Sequence, residues 1–263
     1  MSERRELQQM SGTVLLEWQY KPVDFIEESL EIEREGYSLS IGNGKVIATI
    51  GLAFFDANPQ IREQLHSELT MRLQSSQLSR RQKYELSDSG MTKIGSDGRR
   101  VHYLEVKGTI ITTSLFAPDI QKRDREGKVI FDTKKDRLRE QENLTQLRLR
   151  HQGDVTLDAI FRSFDAALND PDNALVHLYE IREAINTRLG TAKVTQQQLG
   201  ISKKQFRRFG ELCCDLPLLE GRHRGRNPGQ LRPATQTEMS EAYEIASAMI
   251  SAYMHYLEHS PGK

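Results

Sequence analysis

Residues 195–209 read TQQQLGISKKQFRRF, two short helical phrases broken by a glycine. Helices stop readily at glycine, which takes the left-handed conformation at no steric cost. Serine is a preferred first cap, because its hydroxyl accepts an orphan amide N–H. Gly200 is therefore expected in a turn and Ser202 at the head of a second helix. Phe206, Phe209 and Cys213 recur at three- and four-residue steps, the spacing of one buried helical side. Leu199 would pack inside with them. That arrangement sends Lys203, Lys204, Arg207 and Arg208 outward. The two helices are expected at about Thr195–Leu199 and Lys203–Cys214. The flanking sequence has the same character. Leu157–Leu168 carries Ile160, Phe161, Phe164, Ala167 and Leu168 on one side. Asp170-Pro171-Asp172 separates it from Asn173–Leu189, where Leu175, Leu178, Ile181, Ile185 and Leu189 are helically spaced and Gly190 follows. Thr235 and Thr237 with Glu238 open a last helix, Glu238–Leu257. Residues 154–263 thus read as an all-helical domain.

The N-terminal part has a different period. Thr13–Tyr20 (TVLLEWQY) is an expected strand, with Trp18 in the core. Tyr37–Ile41 and Lys45–Ile50 flank Gly42-Asn43-Gly44, a hairpin signal built on residues that accept positive φ. Pro59–Leu73 predicts a helix, with Ile61, Leu65, Leu69 and Leu73 one turn apart. Val101–Leu115 is β-favouring, and Gly108 marks a bend within it. Residues 1–116 form an α+β unit on this reading. Residues 117–153 are a linker and a solvated connecting helix (Lys134–Arg150), with Val129–Phe131 a short strand. The fold class is α+β: a small mixed domain followed by a helical one.

Charge is distributed unevenly. The 263 residues hold 37 Lys/Arg and 37 Asp/Glu, for a net charge of zero. Residues 188–232 nevertheless hold ten Lys/Arg against three Asp/Glu, a local excess of seven. Within them lies the basic loop Arg222-His223-Arg224-Gly225-Arg226. Local cation density draws phosphates through counterion release whatever the net charge, so DNA or RNA is the expected partner. The composition, 37% hydrophobic and 28% charged, excludes wholesale disorder. No apolar run is long enough to span a bilayer, and Met1–Met10 has no apolar signal core. Cys213 and Cys214, the two cysteines, are adjacent, and the ring that would join them is strained. They are expected as free thiols in a reducing cytoplasm. Without metal-ligand spacing they make no zinc site, and no cofactor is expected.

The phrase from Thr195 to Arg208 resembles the helix-turn-helix core of bacterial regulators, in which the outward face of the second helix enters the major groove. Gln196 departs from that pattern, which has Ala four residues before the turn Gly. The same residues also describe a capped helical corner with a solvated basic side. The order of Asn173–Leu189, a variable segment, an Arg-His loop and a long final helix resembles the HEPN-type helical domains of prokaryotic defence and toxin systems. His177-Leu178-Tyr179-Glu180 and Arg222-His223 carry that likeness. The resemblance implies a helical fold and an accessory or effector role in anti-phage defence or stress. That family's RNase site is an Arg-x4–6-His motif, which is missing here: Arg222 directly precedes His223, and His177 has no Arg at the required distance. His223 remains the candidate acid/base, since a histidine titrates near working pH. Arg222, Arg224 and Arg226 are the candidate phosphate ligands of the loop.

Two alternatives stay open. Asp97 with Glu105-Val106-Lys107 imitates the Asp…Glu-x-Lys pattern of Mg²⁺-dependent nucleases, although a half-exposed strand places charges in the same way. The amphipathic helix Glu238–Leu257 could instead make a homo-oligomer or a protein complex without nucleic acid. Gly42-Asn43-Gly44 lacks the Gly-Lys-Ser/Thr of a phosphate loop.

Overall fold

The computed structural model describes residues 12–97, 99–103, 121–123, 126, 128–226 and 229–259. The chain divides into two compact units. One comprises Met1–Ser76 and Tyr84–Ala117, the other Gln77–Lys83 and Pro118–Lys263.

The first unit is an antiparallel sheet with helices. Its strands are β1 (Thr13–Lys21), β2 (Leu30–Arg34), β3 (Tyr37–Gly42), β4 (Lys45–Gly51), β5 (Glu85–Leu86), β6 (Gly90–Ile94) and β7 (Arg100–Tyr103). Their order is β2-β3-β4-β1-β6-β7, and β5 pairs with β1. Strict alternation in β1 buries Val14, Leu16, Trp18 and Tyr20 on one side. The β3–β4 turn forms where the sequence places it. Asn43 and Gly44 have φ of 50° and 76°, the two positive values that a tight hairpin turn requires. Helix α1 (Leu52–Ala57), which periodicity does not announce, follows β4. Helix α2 (Ile61–Arg80) places Ile61, Leu65, Leu69 and Leu73 in the same apolar cluster as the sheet's inner side chains.

Helix α2 runs seven residues beyond the expected Leu73. Ser75, Ser76 and Gln77 in that extension are buried although polar. The hydroxyls of Ser75 and Ser76 donate to the carbonyls of Met71 and Arg72, and Gln77 Nε2 donates to Asp165 at 2.8 Å. Hydrogen bonds replace apolar surface here, and a search for hydrophobic spacing passes over them. Of the expected strands in Val101–Leu115, only β7 falls within the described residues. Gly108, Glu105 and Lys107 lie outside them.

The second unit opens with a two-stranded ladder, β8 (Gln121–Arg123) and β9 (Val129–Asp132), and continues as helices. These are α3 (Thr133–Arg150), α4 (Val155–Asn169), α5 (Ala174–Leu189), α6 (Ala192–Leu199), α7 (Lys203–Gly210) and α8 (Gln236–His259). The expected solvated character of α3 holds only for its first half. Leu144, Thr145, Leu147 and Arg148 are buried. Arg148 pairs with Asp158 at 2.6 Å and lies 5.0 Å from the Phe161 ring, which lets a charged residue enter an apolar interface. One core gathers Leu157, Phe161, Phe164, Leu175, Leu178, Ile181, Phe206 and Phe209 with Ile245, Met249 and Tyr253 of α8. The apolar side of α8 is thus occupied within its own unit, where the sequence left it open for an oligomer.

The start of α8 is held by three side chains. Thr235 Oγ1 accepts from the Glu238 N–H, and Glu238 in return accepts from the Thr235 N–H at 2.8 Å. Arg232 clamps the same carboxylate with two bonds, at 2.7 and 2.8 Å. The Arg232 hydrogen bond first, then the Thr235 amide, hold the Glu238 carboxyl down to about 2, from an ordinary 4.5. A depressed carboxyl contributes stability that is complete above its unfolded value and is lost as pH falls toward its folded value. Glu238→Gln should therefore cost about 1 kcal/mol at neutral pH, the usual worth of a helix cap. Its deficit against the parent should shrink as pH falls from 4.5 to about 2. Thermal melts across that range check this, and a deficit independent of pH would count against the clamp.

Candidate nucleic-acid interface

Helix α6 ends where the sequence breaks it. Gly200 is left-handed, with φ of 65°. The Gln196 carbonyl accepts from the N–H groups of Gly200 and Ile201 and so closes the turn. Gln196 itself is half-buried. Three residues, Gly200–Ser202, separate α6 from α7. Ser202 Oγ accepts from the Gln205 N–H at 3.2 Å, and Gln205 Oε1 accepts from the Ser202 N–H at 3.3 Å. This reciprocal cap fixes the start of α7.

The two sides of α7 divide as the spacing implies. Phe206 and Phe209 are buried, as are Thr195 and Leu199 of α6. Lys203, Lys204 and Arg207 are exposed, and Arg208 is partly so. At 3.6 residues per turn these four cations occupy an arc of about 140°. Past Gly210 the backbone widens into a π-turn, Glu211–Asp215, which carries buried Cys213 and half-buried Cys214 as free thiols. Burial pushes both thiols up, away from the reactive thiolate.

Carboxylates the sequence reading did not single out meet some of these cations. Arg207 pairs with Glu211 at 3.2 Å, and Arg208 with Glu241 of α8 at 3.0 Å and with Glu211 at 3.5 Å. Among the described residues Lys203 and Lys204 form no ion pair.

The basic loop is built differently. Arg222 Nη1 pairs with Glu183 at 2.7 Å, its guanidinium lies 5.0 Å from the Tyr179 ring, and its N–H donates to the Cys213 carbonyl at 2.8 Å. Arg224 Nε donates to the Gly221 carbonyl at 2.9 Å, and Nη2 to the Asp172 carbonyl and the Asn173 side chain. Two of the three loop arginines thus tie the loop to α5 and the turn before it. Arg226 points to solvent from a single 3₁₀ turn, Arg224–Arg226, closed by its N–H on the His223 carbonyl at 3.0 Å. His223 is half-buried, and its ring has no polar partner among the described residues.

Asp97 is exposed, accepts from the Arg99 N–H at 3.0 Å and pairs with the Arg99 side chain at 3.3 Å. That is the behaviour of a turn residue. Its nuclease-like companions Glu105 and Lys107 are outside the described residues. Among the described residues no three His, Cys, Asp or Glu side chains converge to hold a metal, and no helix is long and apolar enough to cross a membrane. No protein-family model, curated protein or solved structure matches this chain.

Proposed function

We propose that the chain binds double-stranded DNA, with α7 seated in the major groove. The observation that carries this reading is the division of α7 behind its capped three-residue turn: two phenylalanines anchored inward, and Lys203, Lys204 and Arg207 exposed. A B-form major groove is wide enough to admit a helix, whereas that of A-form RNA is deep and narrow and favours shape and single-strand readers instead. The Arg207–Glu211 pair is no obstacle. Exposed pairs four residues apart on a helix are worth about 0.3–0.5 kcal/mol, which a phosphate readily exceeds. Arg224, bonded to the Gly221 and Asp172 carbonyls and to Asn173, serves the loop's shape, whereas Arg222 is exposed and its surface pair with Glu183 is as open to competition as that of Arg207. Arg222 and Arg226 are the loop cations left for flanking phosphates.

The test is anisotropy of a short labelled random-sequence duplex, titrated with the full chain from about 50 to 200 mM salt. Affinity should fall as salt rises. Replacing Lys203, Lys204 and Arg207 by Ala should weaken binding at low salt and flatten the log–log slope by about 0.9 for each lost phosphate contact. Binding that survives this triple change with its slope intact sinks the proposal. Cleavage of the duplex that stops on Arg222→Ala or His223→Ala would favour a nuclease in its place.

A further inference from the structure

Arg182 of α5 meets α7 from the inside. Its guanidinium carbon lies 4.2 Å from the Phe206 ring centre and 5.2 Å from that of Tyr179. Nη1 also donates to the Phe206 carbonyl at 3.4 Å. Gly210 makes room for this: a Cβ there would come within 2.6 Å of Nη1. No carboxylate pairs with the Arg182 cation among the described residues, and its Nε is buried without an acceptor. The Tyr179 ring also lies 5.0 Å from the guanidinium carbon of Arg222, which Glu183 holds.

For stability alone this is a poor use of the position. A buried polar atom left unsatisfied costs free energy, and a well-packed apolar side chain would fill the same volume without that cost. A planar guanidinium adds direction. It lies over two rings while one N–H reaches a carbonyl, a combination that neither an ammonium nor an alkyl chain reproduces. Both contacts on α7 fall at Phe206, so they fix the roll of α7 about its own axis. That roll decides where Lys203, Lys204 and Arg207 point.

We infer that Arg182 is a positioning residue for the DNA-binding face, acting through Phe206 and touching no DNA itself. The inference rests on the DNA reading. It is tested in the full chain with Arg182→Met, Arg182→Lys and Gly210→Ala, the last displacing the guanidinium without removing it. Duplex affinity is measured across salt, and amide exchange of residues 203–213 is followed in the free protein. All three variants should bind roughly tenfold more weakly, about one decade in Kd. The log–log salt slope should stay at the parent value, because no phosphate contact is lost. Exchange across 203–213 should quicken. A variant that merely unfolds in part would lower the active fraction and leave the Kd of the folded molecules alone. Parent-like affinity in the folded variants overturns the inference, and so does a slope reduced by about 0.9, the mark of a direct contact. Should the parent itself fail to bind duplex, the DNA reading falls. Unchanged exchange in 203–213 overturns the positioning role independently of DNA.

Discussion

Phe209→Ala should destabilise the second unit by about 3–5 kcal/mol, the usual cost of emptying a buried phenylalanine site. Phe209 is fully buried, and it belongs to the same apolar cluster as Ile181, Leu212 and Met249. A domain's whole stability is only about 5–15 kcal/mol, so this one truncation removes a large share of it. The helical far-UV signal should melt many degrees lower, and duplex binding should be lost at temperatures where the parent still binds. Phe209→Leu keeps most of the volume and should cost well under half as much. If Phe209→Ala melts with the parent, α7 is not anchored by its inner side, and the outward placement of its cations loses its basis.

Trp18→Ala should cost a similar amount, about 3–5 kcal/mol, in the first unit. Trp18 is fully buried in β1, paired across to Val46 of β4, and it shares a cluster with Leu65 and Leu69 of α2. It is the protein's one tryptophan, so the parent's tryptophan fluorescence reports that unit directly. Urea titration followed by circular dichroism compares the two proteins. The midpoint should drop sharply, with DNA affinity of the molecules that remain folded unchanged, since no cation of the proposed interface lies in that unit. A large affinity loss in folded Trp18→Ala would place part of the binding surface in the sheet unit.

The elements that were legible in the chain are those whose determinants are local. Alternation fixes β1. Asn43 and Gly44 supply the positive φ values of the β3–β4 turn. Gly200, Ser202 and the Thr235–Glu238 pair mark helix ends through hydrogen bonds that span at most five residues. The inward positions of Phe206, Phe209 and Cys213 follow from the helical repeat. What escaped depends on partners far along the chain. Arg208 and Glu241 are 33 residues apart, Gln77 and Asp165 are 88, and Ser247 reaches the Leu78 carbonyl across 169. A local excess of cations says how many charges there are, and nothing about which are neutralised in space. That is why the partners of Arg222 and Arg224, Glu183 for the one and two backbone carbonyls with Asn173 for the other, were not legible in the sequence. Arg182 escaped because a guanidinium lying over the Tyr179 and Phe206 rings leaves no periodic trace.

Hydrogen–deuterium exchange of the full chain, with and without a saturating duplex at low salt, tests the DNA-facing role of α7 most directly. Slowed exchange concentrated in residues 200–211, and removed by the Lys203, Lys204 and Arg207 triple substitution, is the expected result. Protection confined to residues 12–103, or binding that leaves 200–211 untouched, would contradict it.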